Sequence, residues 1–465
     1  MARINAIAFG GGGLVGTAKS LGHLVGLDQV VRSPDARKEV KKSFFDYMAD
    51  AGVDIEQLEE RFDEVVSRMP AEVRSGQADH IGRYFKLCAG ISGGSFLATG
   101  VCSEMPLLDL IREMVHFPFT SYFRPDVGEY VRALKRAPRV PFNVLKAAIR
   151  EARTGGLAGP NEGWLVPVLR RASRLGFEML GATQEILPRG IFTGQGLEDY
   201  IDRLSVQQGM ANSFQDVRDR GRHLLIIAER FNTANRLTER GNASTAVYFG
   251  APPHDTVKIS RAIRASCSIP GITTPVEYVD PEFGNTRFLL VDGAIGKTIG
   301  RRRLFLDYDI GVVITINPIV PYIGNLENII DNMEQLYRKL IYSRLKAVES
   351  HIEPEVAERT IHIESNPDEF FFNMLRLDKI KEGLFEGYFQ TLRTAAEHYR
   401  SMEERLALGG LCMIPREAIV DKLHSNTTTR ERARILRRQV MEREGVSTQV
   451  GNAIGEMIRP SGDAA

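Results

Sequence analysis

Two glycine clusters constrain the fold of this chain more than any other feature of its sequence. The first lies in "AIAFGGGGLVGTAKSLGHL" (residues 6–24) and the second in "LCAGISGGSFLATG" (residues 87–100), each between an apolar run and a helix-like stretch. Later runs, "HLLIIAERF", "TAVYFG", "RFLLVDG" and "DIGVVITINP", are typical of short buried strands separated by helices or loops. Strands that alternate with helices predict an α/β fold, a layered sheet with flanking helices.

Composition limits the functions that such a fold can carry. The 465 residues are 43% hydrophobic, which favours a soluble globular enzyme. The 60 Lys and Arg residues balance 59 Asp and Glu residues, so the overall charge gives no reason to expect a nucleic-acid partner. The four cysteines form no CxxC pair and no HExxH occurs, so we expect neither a zinc site nor a disulfide framework. Without a signal-peptide pattern or a run long enough to span a bilayer, we expect a cytoplasmic location.

The first glycine cluster has three interpretations. Gly11, Gly13 and Gly16 satisfy G-x-G-x-x-G, the pattern that places a dinucleotide pyrophosphate at a helix N-terminus. That interpretation also needs an acidic residue after the next strand, and Asp35 lies instead in a polar turn with no convincing strand before it. The alternatives are a loop that binds the oxyanion of an acyl-transfer reaction and a plain glycine-rich turn.

The second cluster, "GISGG" (residues 90–94), matches the G-x-S-x-G pattern of a nucleophile elbow. Ser92 would occupy a strained turn between strand and helix, with the helix N-terminus favouring negative charge beside it. Farther along, "FLLVDG" places Asp292 at the end of a strand-like run, where its carboxylate is able to accept the serine proton. A plain Asp-Gly turn is the alternative, and no histidine is well placed for a Ser-His-Asp triad.

A glycine-rich loop, G-x-S-x-G and D-G-[AG], in this order, resemble the patatin-like phospholipases, and the resemblance covers roughly residues 3–320. Similar stretches lie at residues 192–204, 224–237 and 260–279. The resemblance implies a patatin-like layered α/β sheet related to the cytosolic phospholipase A2 catalytic domain, and a reaction that needs no histidine.

The resemblance also assigns roles to individual residues. It implies that Ser92 is the nucleophile and Asp292 the base, with Gly11, Gly12 and Gly13 forming the oxyanion hole. Independently of the resemblance, the missing acidic partner after the glycine loop and the absence of metal-ligand spacings lead us to expect neither a dinucleotide cofactor nor a catalytic metal. We therefore expect a serine lipid acyl hydrolase, similar to a phospholipase A or a lysophospholipase, that cleaves glycerolipid esters through an acyl-enzyme. A neutral-lipid lipase, a thioesterase or an acyltransferase on the same dyad remains open, as does a nucleotide-binding or membrane-associated scaffold.

Two departures from the family pattern weaken the case for an anionic phospholipid substrate. The family commonly has D-G-G-G-x-[RK]-G, but Gly10 replaces the aspartate and Val15 replaces the basic residue. Some members that hydrolyse neutral glycerolipids also lack this cation.

A basic segment offers a contact with membranes. Residues 131–150, "VRALKRAPRVPFNVLKAAIR", have no acidic residue and include Arg132, Lys135, Arg136 and Arg139 among apolar side chains. Basic groups beside apolar ones suit an anionic membrane surface, so we expect a lipid substrate and a peripheral membrane surface as partners. The alternative is a solvated basic face, and the sequence leaves homo-oligomerisation open.

The sequence divides into three predicted regions. Residues 1–320 form the catalytic domain, with a helical insertion at 33–80 and a lid or membrane-facing region at 105–190. Residues 321–424 are predicted to be a helical part packed on that domain, and residues 425–465 a charged tail.

Overall fold

The computed structural model describes most of the chain. The described residues are 3–74, 81–117, 190–231, 245–296, 301–319, 329–349, 351–364 and 379–425.

The described strands differ in length, and the shortest have two residues. They are Ile4–Phe9 (β1), Val31–Arg32 (β2), Leu87–Ile91 (β3), Gly190–Phe192 (β4), His223–Arg230 (β5), Ala246–Phe249 (β6), Gly271–Thr273 (β7), Val276–Asp280 (β8), Thr286–Asp292 (β9), Ile310–Asn317 (β10), Thr360–Glu364 (β11) and Cys412–Met413 (β12). Every residue of β3 and β10 is buried, as expected for parallel strands covered on both faces.

The described helices are mostly short. They are Gly13–Val30 (α1), Phe44–Asp50 (α2), Leu58–Ser67 (α3), Ala71–Arg74 (α4), Gly93–Cys102 (α5), Leu107–Val115 (α6), Gln195–Gln208 (α7), Phe214–Asp219 (α8), Ile259–Ser266 (α9), Arg301–Asp307 (α10), Ile329–Glu349 (α11), Pro354–Glu358 (α12), Ile380–Glu397 (α13), Tyr399–Leu408 (α14) and Arg416–Ser425 (α15).

A central eight-stranded sheet organises these elements. Its order is β11-β10-β1-β3-β5-β9-β8, and β6 also pairs with β5. Strands β11, β10, β1, β3 and β5 are parallel, whereas β9 runs antiparallel to β5 and β8 antiparallel to β9. The predicted α/β class is confirmed.

The register of the sheet brings the two glycine clusters together. Phe9 at the end of β1 pairs with Gly90 of β3, so the turns that follow these strands are neighbours at one edge. On the other side of β3, Ile91 pairs with Ile227 of β5, and the next residue of β5, Ala228, pairs with Asp292. The sheet therefore aligns the first glycine loop, Ser92 and Asp292 across neighbouring strands.

The described part of the region predicted to be helical, residues 321–424, contains two strands, β11 and the two-residue β12 that pairs with β2. Thr360–Glu364 forms β11, which pairs with β10 and extends the central sheet by one strand. The helical prediction is wrong at these residues, because a run as short as "TIHIE" is masked by the helical patterns on both sides. The C-terminal part of the chain thus supplies an edge of the same sheet.

Helix α1, which begins at the glycine loop, packs against α13 with almost no space between the two backbones. A Cβ added at Gly22 would lie 1.9 Å from the carbonyl oxygen of Leu384, and one added at Gly387 would lie 2.0 Å from that of Lys19. In the same interface, the imidazole Nδ1 of His23 and the hydroxyl of Thr391 are 2.9 Å apart. Glycine is required because any side chain would separate the helices.

This contact predicts a graded effect of two alanine substitutions on α13. Gly387→Ala should lower the free energy of unfolding by about 2 kcal/mol or more, because the new methyl group meets the backbone of α1. Gly383→Ala is the matched control: its Cβ would lie 3.1 Å from the nearest atom, the carbonyl oxygen of Val15, and alanine favours the helix, so we expect a change within about 1 kcal/mol. Urea denaturation of both variants measures the difference. Equal losses would contradict the close crossing.

Candidate active site

Ser92 occupies a backbone conformation that a side chain disfavours. It lies between β3 and α5 with φ 52° and ψ −134°. Such conformations cost about 1–3 kcal/mol and persist only where the surroundings enforce them. The close packing of the elbow explains one of its glycines, because a Cβ added at Gly94 would lie 2.5 Å from the carbonyl oxygen of Gly10.

Two buried serine side chains hold the backbone of Ser92. The hydroxyl of Ser266, at the end of α9, accepts a hydrogen bond from the Ser92 N–H at 2.8 Å and donates to the Ile227 carbonyl oxygen at 2.6 Å. The hydroxyl of Ser95 donates to the carbonyl oxygen of Ser92 at 2.5 Å. Both side chains are fully buried. The strained turn is therefore fixed from α9 and from within α5.

Sequence reasoning did not identify these two serines as functional. Ser266 lies within the 260–279 stretch that contributed to the family resemblance, but its short side chain carries no signal for a partner 174 positions away.

The first glycine loop lies directly against Ser92. A Cβ added at Gly11 would be 3.0 Å from the Ser92 Cβ. Gly10 N–H donates to the Ile316 carbonyl oxygen at 2.8 Å, and the ladder of α1 begins with Gly16 N–H donating to Gly12. Between these bonds, the N–H groups of Gly11, Gly12 and Gly13 have no backbone acceptor within the described residues. Together with the N-terminal end of α1, they are suited to bind an anion.

Asp292 ends β9 beside Ser92 and is 1% exposed. Its backbone N–H donates to the Ser268 carbonyl oxygen at 2.8 Å, and its carboxylate accepts a hydrogen bond from the Ala294 N–H at 2.8 Å. Burial raises the pKa of Asp292 to about 7, because desolvation outweighs the lowering by the hydrogen bonds from Ala294 and the Ser92 hydroxyl. A carboxyl group with this pKa is able to accept and return a proton near neutral pH.

A thiol also borders the serine. Burial raises the pKa of Cys267, and the negative charge of Asp292 adds to this effect, whereas interactions with the hydroxyls of Ser95 and Ser92 oppose it. The thiol is therefore protonated at neutral pH, and the thiolate that would compete with Ser92 as a nucleophile is suppressed.

Other proton acceptors lie elsewhere. Eight of the nine histidines are in the described residues, and none of the eight forms a hydrogen bond with Ser92 or Asp292. Asp35, which a dinucleotide site would need, follows β2, and β2 pairs with β12 in a separate small sheet. The geometry thus provides a hydroxyl, a buried carboxyl group and three backbone amides.

The described residues also include one group with the composition of a metal site. Ligand atoms of His254, Asp280 and Glu282 lie within 4.8 Å of one another. However, the guanidinium of the buried Arg230 contacts both carboxylates at 2.7 Å and already supplies a positive charge. This cluster joins β5 to the end of β8 as an ion-pair network in which Arg230 and Asp280 are buried and Glu282 is about half exposed.

Comparison with known families identifies the chain. A model of the patatin-like phospholipase family matches residues 68–301, half of the sequence. The chain belongs to this family. Its members are lipid acyl hydrolases, and the chain is accordingly a hydrolase that acts on carboxylic ester bonds. The matched residues include Ser92 and Asp292 and begin after the first glycine loop.

Comparison with individual proteins adds little to the family assignment. VipD from Legionella pneumophila is among twelve solved chains that match; it is 13% identical, with a TM-score of 0.31, over 85% of this chain and 67% of that chain. No curated protein matches the sequence.

The basic residues predicted to face a membrane, Arg132, Lys135, Arg136 and Arg139, lie outside the described residues. Within the described part of the chain, no helix is both long and apolar enough to cross a membrane.

The raised pKa of Asp292 predicts that Asp292→Asn stabilises the fold in a pH-dependent way. Between its pKa in the unfolded chain, about 4, and about 7 in the native protein, the native state holds a proton that the unfolded state releases. The contribution of Asp292 to the free energy of unfolding of the wild type therefore falls as pH rises through that window. We expect the variant to exceed the wild type by at least about 1 kcal/mol at high pH, because a neutral amide avoids the buried charge.

Urea denaturation at pH 8.5 and pH 4.5 tests this expectation. The difference in unfolding free energy should be largest at the higher pH and several times smaller at the lower one, which lies near the start of the window. The same difference at both values would show that Asp292 ionises normally.

Proposed function

We propose that this chain cleaves glycerolipid carboxylic esters through an acyl-enzyme on Ser92, with Asp292 as the general base. The observation that carries the proposal is the burial of Asp292 beside the Ser92 elbow, at the end of a strand that the sheet aligns with it, where desolvation raises the pKa of Asp292 to about 7. Besides a nucleophile and a base, the reaction needs hydrogen-bond donors for the oxyanion, and we assign this role to the backbone amides of Gly11, Gly12 and Gly13 in the adjacent loop.

The reaction then proceeds in two halves. Asp292 takes the hydroxyl proton as the Ser92 oxygen attacks the ester carbonyl carbon, and the amides of the glycine loop hold the resulting oxyanion. When this intermediate collapses, the alcohol portion of the lipid leaves with the proton from Asp292. A water molecule, deprotonated by Asp292, attacks the acyl-enzyme carbonyl carbon. As the bond to the Ser92 oxygen breaks and the fatty acid leaves, Asp292 returns the proton to Ser92, which restores the hydroxyl and the carboxylate.

The proposal extends to the class of lipid. Val15 occupies the position where the family commonly has a cation; it is fully buried and lies against Gly383 of α13. Because α13 covers this position, a charged side chain would lose its solvent there. The glycine loop thus offers no cation for a phosphate headgroup. A neutral-lipid lipase therefore stands as an alternative to a phospholipase A or a lysophospholipase. A thioesterase or an acyltransferase would use the same dyad.

We also propose a peripheral membrane surface as partner in the cytoplasm, with the basic segment that contains Arg132, Lys135, Arg136 and Arg139 as one contact. The support for this segment is its sequence, which combines cations with apolar side chains and lacks acids.

The dyad predicts how substitutions and pH affect activity. Ser92→Ala should abolish ester hydrolysis and labelling by a fluorophosphonate probe, and Asp292→Asn should lower turnover by about 10²-fold or more.

Since the base acts only when ionised, kcat/KM of the wild type should rise with pH and level off above about 7. Product analysis with phospholipid, lysophospholipid, triacylglycerol and thioester substrates, with and without an alcohol acceptor, separates the alternatives. Labelling of another serine, or a pH-independent rate between pH 5 and 8, would overturn the assignment.

Ser266 should act as a positioning residue in this reaction. Ser266→Ala removes the hydroxyl that holds the Ser92 N–H, so we expect kcat and the rate of probe labelling to fall about 10-fold or more with KM nearly unchanged. Ser260→Ala is the matched control, because Ser260 is buried on the same helix and its hydroxyl has no hydrogen-bond partner within the described residues. If both variants lose activity equally, the effect belongs to α9 as a whole.

A further inference from the structure

Helix α11 packs on the loops that carry the proposed dyad. Its residue Ile341 is buried in one apolar cluster with Ile91, which precedes Ser92, and with Ala294, which follows Asp292 by two positions. The Arg344 guanidinium donates a hydrogen bond to the carbonyl oxygen of Ile295. The middle of α11 is therefore fixed at the edge of the sheet where Ser92 lies.

The direction of α11 places its earlier turns beyond this edge. Lys346 forms an ion pair at 3.1 Å with Glu364, the last residue of β11 at the carboxyl edge of the parallel strands. The chain then reaches α12, and Arg359, just after it, contacts the first residue of β10 at the opposite edge. At 1.5 Å per residue, Leu336 lies about 12 Å along the helix before Arg344, on the side away from the sheet.

These outer turns expose an apolar and basic face. Leu336 is 59% and Leu340 61% exposed, and the two lie one helical turn apart with the exposed Lys339 beside them. Residues 335–347, "QLYRKLIYSRLKA", contain four basic residues, of which Lys339 lies on the exposed face and Arg338 is buried. Arg344 and Lys346 are engaged by the Ile295 carbonyl oxygen and by Glu364. We call Leu336, Lys339 and Leu340 the α11 face. Leucines beside a cation are typical of helices that lie in a membrane interface.

We propose that the α11 face docks this protein on an anionic lipid surface. The inference rests on the proposed function, since an enzyme with a lipid ester substrate needs its serine turned towards the lipid layer. Two leucines are far too small an area for a stable protein interface, which buries about 800 Å² on each partner. A second copy of this face would bring two Lys339 ammonium groups towards each other. A lipid surface supplies both an apolar layer and, from its headgroups, negative charge.

The test compares vesicle hydrolysis with hydrolysis of a dissolved short-chain ester. The vesicles contain phosphatidylcholine alone or mixed with phosphatidylglycerol, and sedimentation measures binding. For the double variant Leu336→Ser, Leu340→Ser, the ratio of vesicle rate to short-chain rate should fall about tenfold or more, and so should binding. Leu306→Ser is the matched control: Leu306 is 70% exposed on α10 near the opposite edge, and its ratio should stay that of the wild type.

A charge-reversal variant provides a second, independent test of docking. Lys339→Glu should weaken binding to phosphatidylglycerol vesicles about fivefold or more and leave binding to phosphatidylcholine vesicles nearly unchanged. This single surface substitution keeps the test decisive if the double variant folds poorly.

The outcomes separate the two proposals. A wild type that binds vesicles but hydrolyses neither substrate would overturn the proposed function and leave the docking surface standing. Unchanged binding in both α11 variants would overturn the docking surface. Loss of binding only when Arg132, Lys135, Arg136 and Arg139 are replaced by Gln would also overturn it and assign docking to the basic segment.

Discussion

The geometry of the site depends on one residue, Ser92, held in a conformation with positive φ. No local preference maintains this conformation, so neighbouring elements must enforce it. They do so through the Ser266 hydroxyl, which accepts from the Ser92 N–H, through the Ser95 hydroxyl, which donates to the Ser92 carbonyl oxygen, and through the contact with Gly11. The strained turn lies against the glycine loop and beside the end of β9, where Asp292 lies.

Burial gives the second half of the site its chemistry. An exposed aspartate is almost fully ionised at neutral pH and is a weak base. Enclosed between β9 and the elbow, Asp292 has a pKa near 7, so that gaining and losing a proton cost similar free energies at neutral pH. The same enclosure keeps the Cys267 thiol protonated. The same desolvated environment thus makes the Asp292 carboxylate a stronger base and keeps the neighbouring thiol in its less nucleophilic, protonated form.

The sequence predicts those parts of the molecule that are specified locally. The α/β class and the two glycine turns follow from patterns within about twenty residues, and β3, β5, β9 and β10 were recognisable as apolar runs. The supports of the site were not, because they join distant positions: Ser266 lies 174 residues from Ser92, and Thr391 lies 368 residues from His23. Strand β11 was missed for a related reason, since its identity depends on pairing with β10.

The close crossing of α1 and α13 has a consequence for how the protein is made. Helix α1 carries the glycine loop at its start, yet the surface that covers its glycines lies at residues 380–397. A ribosome synthesises Ser92, Asp292 and the loop long before it synthesises this cover. The packing partner of the α1 glycines and of His23 therefore becomes available only after α13 has left the ribosome.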